Sequence, residues 1–305
     1  MAERIVVKVP GSTSNLGPGF DSIGLAVNRF LTVEAVIADQ WQFASNLEGI
    51  PLDKTNLIYQ VAADVAKLYG QSLPPLALTI SSDIPPARGL GSSAAAVVAG
   101  IEVADVFAGL NLDRQSKLNM AANIEGHPDN VAPSLYGGLV IAHQPLEGET
   151  TVVPIAPSDV DLVAFIPERL LETKTARSVL PDTLKHSTAV KGSSAANLFV
   201  AAALQGDWVT AGRMMDEDTL HQPYRKALIP EMDQVMADAN AFGAYGTALS
   251  GAGPTMLVFC PVNVSGRFVT HLRKQYPDHH LEQLKIVQSG VHVEPRATLD
   301  PVKSL

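Results

Sequence analysis

The segment that most constrains this chain is PPARGLGSSAAA, residues 85–96, in which a glycine-rich turn comes directly before a long run of small and apolar residues. That run, residues 92–109, is apolar on most of its faces and predicts a buried helix. Gly89 and Gly91 let an anion approach the unpaired N–H groups and the positive dipole end of the helix without meeting a side chain. The segment therefore predicts a phosphate-binding loop.

Two serines begin this predicted helix. The hydroxyls of Ser92 and Ser93 can donate to phosphate oxygens, and either can ligate Mg²⁺, which prefers oxygen ligands. The alternative is an ordinary helix capped by one serine. Capping explains one serine, but it does not explain Gly-Leu-Gly-Ser-Ser followed by alanines. The loop is not a Walker A motif, because the sequence contains no G-x-x-x-x-G-K-[ST].

Composition narrows the class of protein. With 305 residues, 46% of them hydrophobic and 17% charged, the chain can bury a large core, and we expect two domains. The net charge of −9 repels polyanions, so nucleic acid is not an expected partner. The first residues lack the apolar core of a secretion signal, and no run is long enough to span a membrane. A single cysteine, Cys260, cannot form an internal disulfide, so we expect a cytoplasmic protein that does not act at a membrane.

The order of predicted elements indicates an α+β fold. Strands are predicted at 4–9, from Ile23, and at 30–38, 76–80 and 137–143, with helices at 56–70, 92–109 and 113–125, so that strands precede the first helix. The proline-spotted stretch 144–159 is the predicted boundary between domains 1–155 and 156–305. The second half predicts helices at 194–205, 207–217, 227–242 and 263–275, and strands at 162–167, 245–249, 255–260, 283–288 and 290–294. Residues 296–305 are expected to form a loose tail.

Three motifs together resemble a known family. P-x-x-x-G-L-G-S-S-A-A resembles the phosphate loop of the GHMP kinases. STSNLGPGFDSIGLA, residues 12–26, resembles the first motif of that superfamily in the form that homoserine kinases have. GTALSGAGPTMLVF, residues 246–259, is similar to the third motif, a glycine loop between two strands. Because the motifs occur in the family order and span most of the chain, it is identified as a member of this family.

The resemblance implies a fold and a nucleotide site. It implies a two-domain α+β GHMP kinase fold, with a ribosomal-protein-S5-like N-terminal half, a ferredoxin-like C-terminal half and the active site in the cleft between them. ATP would lie against the phosphate loop, formed by Pro85, Pro86, Ala87, Arg88, Gly89, Leu90, Gly91, Ser92, Ser93, Ala94 and Ala95. Asn56 matches the family's adenine-side asparagine, although a helix N-cap would look the same. Ser250, Gly251 and Gly253 of the third motif would close against the phosphates.

The resemblance also implies the groups that act at the transferred phosphate. Glu125 matches the acidic Mg²⁺ ligand, with Ser92 as the hydroxyl ligand; the alternative for Glu125 is a solvated residue at a helix end. Asn130 stands where mevalonate and sugar kinases have an aspartate base, and an amide cannot accept a proton at neutral pH. The implied role of Asn130 is to orient the acceptor hydroxyl while the γ-phosphate takes the proton. Asp129 is expected to brace the loop.

The acceptor implied by this branch of the family is L-homoserine, phosphorylated on the way to threonine. Arg177 and Arg225 match carboxylate-binding arginines, and Thr173 matches a companion polar ligand. Asp21 and Asn15 would hold the ammonium, and His127 matches a histidine of the substrate pocket. Taken alone, each arginine could form a surface salt bridge and His127 a structural hydrogen bond. A homodimer is a further family expectation. The rival predictions are a GHMP kinase for another alcohol and a non-catalytic sensor of the same fold.

Overall fold

The computed structural model describes residues 3–295, and the strands of this part of the chain form two sheets. The strands are β1 Arg4–Ser14, β2 Ile23–Ile37, β3 Gln42–Ser45, β4 Leu76–Ser82, β5 Leu139–His143, β6 Thr151–Ile155, β7 Asp161–Ile166, β8 Gly246–Leu249, β9 Met256–Cys260, β10 His280–Leu284 and β11 His292–Pro295. The first sheet has the order β11-β1-β2-β4-β3, with β5 paired to β2 and β6. The second has the order β10-β7-β9-β8.

Helices pack against both sheets. They are α1 Leu57–Leu68, α2 Ser92–Phe107, α3 Arg114–Glu125, α4 Pro128–Tyr136, α5 Thr173–Ser178, α6 His186–Leu204, α7 Trp208–Asp216, α8 Gln222–Arg225, α9 Met232–Ala241 and α10 Ser265–Gln275, with a 3-10 turn at Lys226–Leu228. Within residues 3–295, no helix combines the length and the apolar character needed to cross a membrane.

The first sheet is organised around a long antiparallel pair. β1 and β2 pair with Val7 opposite Val33, and the register shifts between Pro10 and Gly11. Ile5, Val7 and Val9 alternate with polar or less buried residues and point into the core, as the period of two in a strand requires. After the shift, the end of β1 is buried on both faces, which brings the first motif into the interior of the molecule.

The prediction of a buried helix after the phosphate loop is correct. α2 packs among α1, α3, α4 and β1, and most of its residues are buried. At Gly100 a Cβ atom would lie 2.8 Å from the carbonyl oxygen of Ile58, so this glycine allows α1 and α2 to approach closely. The small residues of α2 thus fix the direction of the helix whose first residue is Ser92.

One strand pairing crosses the predicted domain boundary. The stretch 144–159, predicted to contain that boundary, includes β6, which pairs antiparallel with β5 inside the predicted first domain. β11, in the predicted second domain 156–305, pairs antiparallel with β1 in the first sheet. Local sequence patterns do not specify partners as far apart in the chain as β1 and β11, which is why this pairing was not predicted. The predicted tail, 296–305, lies outside the described residues.

Candidate active site

A cavity of about 370 Å³ lies between the first sheet, α2, α5 and the loop that follows β8. One end is mostly apolar and is lined by residues such as Leu31, Leu47, Ile50, Ile80, Ile84 and Ala96. The other end is polar and charged, lined by Asn15, Asp21, His127, Asp129, Asn130, Thr173, Arg177 and Arg225. Between the two ends lies the start of α2, with Gly89, Gly91, Ser92 and Ser93.

The start of α2 is open. Gly91 is the N-cap, in a left-handed conformation with φ of 72°, and no side chain caps the helix. The alternative of an ordinary serine-capped helix is therefore wrong. The first residues of this turn, Ser92 and Ser93, line the cavity, and an uncapped helix start with orphan N–H groups is an arrangement that binds anions.

The three glycine motifs meet at this point. A Cβ atom at Gly89 would lie 2.3 Å from the carbonyl oxygen of Ser250, and one at Gly91 would lie 2.2 Å from Ser12 Oγ. Ser250 Oγ lies within hydrogen-bonding distance of the Gly89 carbonyl, at 2.5 Å, and of Thr13 Oγ1, at 2.8 Å. Glycine is needed at both positions because backbone and hydroxyl groups occupy the space that a side chain would need.

Five residues of the predicted ATP-binding segment lie outside the cavity lining: Pro85, Arg88, Leu90, Ala94 and Ala95. Leu90, Ala94 and Ala95 are at most 1% exposed and belong to the hydrophobic core. The guanidinium of Arg88 donates to the carbonyl oxygens of Pro86, Pro167 and Glu168, and the predicted contact of this residue with ATP stays a prediction. A sequence motif gives the residue type but not the direction in which its side chain points. Pro86, Ala87 and Gly89 do line the cavity, whereas Pro85 lies outside its lining.

Asn56 is the N-cap of α1. Its Oδ1 accepts from the backbone N–H of Ile58 at 3.0 Å, and its Nδ2 donates to the carbonyl oxygen of Pro51 at 2.9 Å. The residue also lines the apolar end of the cavity. The capping role left open by the sequence is therefore present, while contact with a nucleotide base stays a prediction.

Oxygen ligands for a divalent cation lie beside the start of α2. The Ser93 hydroxyl donates to Glu125 Oε2 at 3.1 Å, and Ser92 lines the same part of the cavity. Glu125 is the last residue of α3 and is partly buried, so it is not a freely solvated side chain. A carboxylate and two hydroxyls next to a phosphate-binding helix end match the preference of Mg²⁺ for oxygen ligands and phosphates. It is Ser93 rather than Ser92 that contacts Glu125.

The side chain of Asn130 is held in one orientation. Its Oδ1 accepts from Ser12 Oγ at 3.0 Å, and its Nδ2 donates to Ser14 Oγ at 2.8 Å. Asn130 is 9% exposed and lines the cavity. The two serines come from the first motif, STSN, in which alternate residues of β1 point the same way. The sequence analysis did not identify Ser12 or Ser14, although this alternation was a signal for them.

Asp129 contacts the side chain of His127, two residues earlier in the same loop, as expected for a residue that braces this loop. His127 Nδ1 lies 2.6 Å from Asp129 Oδ1, and these groups lie within 4.8 Å of a carboxylate oxygen of Asp21. Burial opposes the charge on His127, but the hydrogen bond and the negative charge of Asp129 outweigh burial and raise the pKa of His127 above 6.5. Asp21 and Asp129 thus place two carboxylates close together at the acceptor end.

Arg177 and Asp21 pair with each other. Arg177 donates from Nη1 and Nη2 to the two carboxylate oxygens of Asp21, at 3.1 and 2.6 Å. Both side chains are about one-third exposed, at 36% and 34%. The ring of Phe20 lies 5.5 Å from the Arg177 guanidinium carbon. The predicted roles of these residues, one for a carboxylate and one for an ammonium, require a ligand that inserts between them or binds beside the pair.

Arg225 is 1% exposed and is fixed by groups from three segments. Its Nε donates to the Ala176 carbonyl at 3.1 Å, and its Nη1 donates to the Gly251 carbonyl at 2.9 Å. Nη1 also lies 3.2 Å from Nδ1 of His221, whose Nε2 lies 2.9 Å from the Gly17 carbonyl. This buried arginine is not a surface salt bridge, so the alternative for Arg225 is wrong.

His221 was missed by the sequence analysis. Burial lowers its pKa to about 3, and the charge of Arg225 adds to this shift, so the imidazole is neutral. A neutral ring that donates from Nε2 to Gly17 can accept at Nδ1 from Arg225, which assigns its tautomer. Burial and the charge of Arg177 lower the pKa of Arg225 to about 10. The spacing of four residues in HQPYR, which places both side chains on one helix face, was the available signal.

Comparisons with known proteins agree with this geometry. Residues 56–138 match the family model for the GHMP kinases N terminal domain, and residues 199–278 match the model for GHMP kinases C terminal. The chain is 49% identical to the homoserine kinase of Bacillus velezensis over 303 residues, covering 98% of this chain and 97% of the relative. It belongs to the homoserine kinase family of GHMP kinases.

Solved structures of homoserine kinases and their relatives share the fold. The homoserine kinase of Cytophaga hutchinsonii superposes with a TM-score of 0.85 at 27% identity, covering 96% of this chain and 98% of that one. The mevalonate kinase of L. major, at 17% identity and a TM-score of 0.74, covers 93% of this chain and 96% of that one, and it shows the shared fold alone. The predicted family and the predicted α+β, two-domain fold are confirmed. As in other GHMP kinases, the phosphoryl donor is ATP.

Proposed function

We propose that the protein transfers the γ-phosphoryl group of ATP to the hydroxyl of L-homoserine, giving ADP and O-phospho-L-homoserine for threonine biosynthesis. The observation that carries the proposal is the division of one cavity into an uncapped helix start and a charged end. A phosphate donor and a zwitterionic alcohol would bind side by side in such a cavity. Family membership supports the same reaction.

The phosphates of ATP would lie against the first turn of α2, between the phosphate loop and the third glycine loop. The backbone N–H groups and the helix dipole there stabilise negative charge on the transferred group. Ser92, Ser93 and Glu125 would hold Mg²⁺, which neutralises phosphate charge when it is bound. The apolar end, where Asn56 lies, would take the nucleoside.

The acceptor would bind at the charged end. Arg225 and Arg177 suit its carboxylate, Asp21 and Asn15 suit its ammonium, and Thr173 and His127 line the same region. Asn130, held by Ser12 and Ser14, would orient the acceptor hydroxyl toward the start of α2. Since the amide cannot act as a base, we propose that the hydroxyl proton passes to an oxygen of the γ-phosphate.

The test is a coupled assay of ADP release with ATP and Mg²⁺. L-Homoserine is compared with mevalonate, galactose, L-serine and no acceptor, for the wild type and for Arg225→Ala. Turnover confined to L-homoserine and lost in the variant supports the proposal. Turnover of mevalonate or galactose instead of L-homoserine would show that the acceptor is a different alcohol. The absence of turnover with any acceptor would favour the non-catalytic sensor. Sedimentation of the same sample tests the predicted homodimer.

A further inference from the structure

Arg88 reaches out of the phosphate loop to the segment that precedes α5. Its Nε donates to the carbonyl oxygen of Pro167 at 3.1 Å, and its Nη2 donates to that of Glu168 at 2.7 Å. Nη1 donates to the Pro86 carbonyl, at 3.3 Å, within the loop itself. The guanidinium therefore bridges two parts of the chain about 80 residues apart, using several donors of one rigid fork.

Other contacts join the same two segments. The backbone N–H of Leu171 donates to the Ala87 carbonyl at 3.3 Å. A Cβ atom at Gly253 would lie 3.6 Å from the Leu171 side chain, so this residue also lies close to the third glycine loop. Ala87 has a φ of 52°, an unfavourable conformation for a residue other than glycine, which its surroundings must hold in place. Residues 167–171 are thus attached to both loops expected to hold phosphate.

The attached segment leads directly into the acceptor end of the cavity. α5 begins at Thr173 and carries Arg177, and both residues line the cavity. The carbonyl of Ala176 in the same helix accepts from Arg225 Nε at 3.1 Å. A displacement of α5 would therefore move one acceptor-site arginine and remove a hydrogen bond from the other.

We propose that Arg88 is a positioning residue that couples nucleotide binding to acceptor binding. A nucleotide that orders the phosphate loop would, through the Arg88 bridge, fix residues 167–171 and hence α5, so that the acceptor-site arginines are in position when the alcohol arrives. The coupling is reciprocal: the acceptor tightens nucleotide binding by the same factor. The acceptor half of this inference rests on the proposed function.

Calorimetric titration measures the coupling. The affinity of the wild type for L-homoserine is measured with and without a non-hydrolysable ATP analogue and Mg²⁺, and the analogue is titrated with and without L-homoserine. We expect each ligand to tighten the other by about 10-fold in the wild type, within the usual range of such couplings. In Arg88→Ala both ratios should fall to near one, while affinity for the analogue alone changes by less than about threefold.

Arg88→Lys separates positioning from a direct phosphate contact. Lysine keeps the charge but lacks the fork, so it should behave like alanine if Arg88 acts through the two carbonyls. If Arg88 instead contacts phosphate, alanine should weaken binding of the analogue alone by about 10-fold or more, and lysine should restore much of it. That result would overturn the proposal.

Arg169→Ala is the matched control. Arg169 lies in the same segment, but its guanidinium pairs with Glu231 at 2.7 Å from both Nη atoms, away from the phosphate loop. Its removal also subtracts one positive charge from residues 167–171, and it should leave the coupling intact. Loss of coupling in Arg169→Ala as well would contradict a specific role for Arg88. Circular dichroism and thermal melting check that each variant is folded.

Hydrogen exchange tests the bridge without any acceptor. Binding of the ATP analogue and Mg²⁺ should slow amide exchange in residues 167–178 of the wild type, and this protection should be lost in Arg88→Ala and kept in Arg169→Ala. If the assay shows that L-homoserine is not the acceptor, the proposed function fails, but this result would still support the bridge. Equal protection in wild type and Arg88→Ala, or no protection in either, would refute it.

Discussion

The two ends of the cavity differ in the chemical groups that line them. The phosphate end is mostly backbone: Gly89 and Gly91 pack so closely with neighbouring groups that no space for a side chain remains. The acceptor end is made of charged side chains, and two of them, Asp21 and Arg177, neutralise each other across 156 residues of sequence. Backbone dipoles at the phosphate end are fixed by the fold, whereas side chains at the acceptor end can exchange partners when a ligand arrives. The difference predicts that steric changes damage the first end, whereas changes to the charged side chains and their hydrogen bonds damage the second.

The largest effect is expected at the phosphate end. Gly89 has a φ of 82°, and a Cβ atom there would lie 2.3 Å from the Ser250 carbonyl oxygen. Gly89→Ala should force the two glycine loops apart and lower kcat/KM for ATP by about 10²- to 10³-fold. Steady-state kinetics with varied ATP measure this.

The control for Gly89 is a glycine of similar conformation in open space. Gly109 has a φ of 64°, and no atom of the described chain beyond its immediate neighbours lies within 4 Å of the place that a Cβ atom would take. Gly109→Ala should cost about 1 kcal/mol in the free energy of unfolding and leave kcat/KM unchanged. Similar kinetic losses in both variants would show that general strain, and not the packing of the loops, controls the phosphate end.

The next prediction compares KM for the acceptor in variants of the two acceptor-site arginines. Arg225→Lys removes the fork that reaches the Ala176 and Gly251 carbonyls from a buried position, and it should raise KM for the acceptor by about 10²-fold. Arg177→Lys, at a site 36% exposed, should raise it by about 10-fold. Initial rates at varied L-homoserine measure both. Equal values would mean that burial does not distinguish the two arginines.

Asn130→Asp tests whether a conventional base can replace the amide. The new carboxylate would face Asp129 Oδ1, which lies 3.4 Å from the present Nδ2, so kcat should fall by about 10- to 10²-fold without a new acidic limb in the pH–rate profile. Ser14→Ala removes one hydrogen bond to the amide and should cost only about threefold. Retained activity with a new acidic limb in Asn130→Asp would instead favour a base mechanism.

The last prediction concerns stability, and no effect on the rate is expected at neutral pH. His221 takes up a proton below pH 6.5 when the chain is unfolded, but in the folded protein only near its lowered pKa of about 3. Its contribution to stability is therefore present above pH 6.5 and is lost as the pH falls toward 3, by at most about 1.4 kcal/mol per pH unit. The free energy of unfolding, measured with urea at several pH values, should change less steeply with pH in His221→Asn than in the wild type. Identical slopes would contradict a neutral buried imidazole.

The same contrast explains what the sequence could predict. The phosphate loop was predictable because Gly89, Gly91 and Ser93 lie within three residues of the start of α2. Local rules for glycine turns and helix starts therefore apply to all of them. The residues of the acceptor end could be named from the motifs, but the pairing of Asp21 with Arg177 depends on chain segments that meet only in the folded protein. The spacing in HQPYR pairs His221 with Arg225, but the burial of His221 against Phe20 and Gly17 depends on segments about 200 residues away. The direction of the Arg88 side chain likewise depends on the Pro167 and Glu168 carbonyls, which lie about 80 residues away in the chain.

The pairing of β11 with β1 has a consequence for how the chain is made. β1 is synthesised first, yet one of its edges is covered by residues 292–295, which leave the ribosome only after almost all of the described chain has been made. Throughout synthesis that edge is an open template for pairing with other chains, a known route to aggregation. The amino-terminal sheet can gather its other strands early, but the protection of its outer edge must wait for a segment that is translated late.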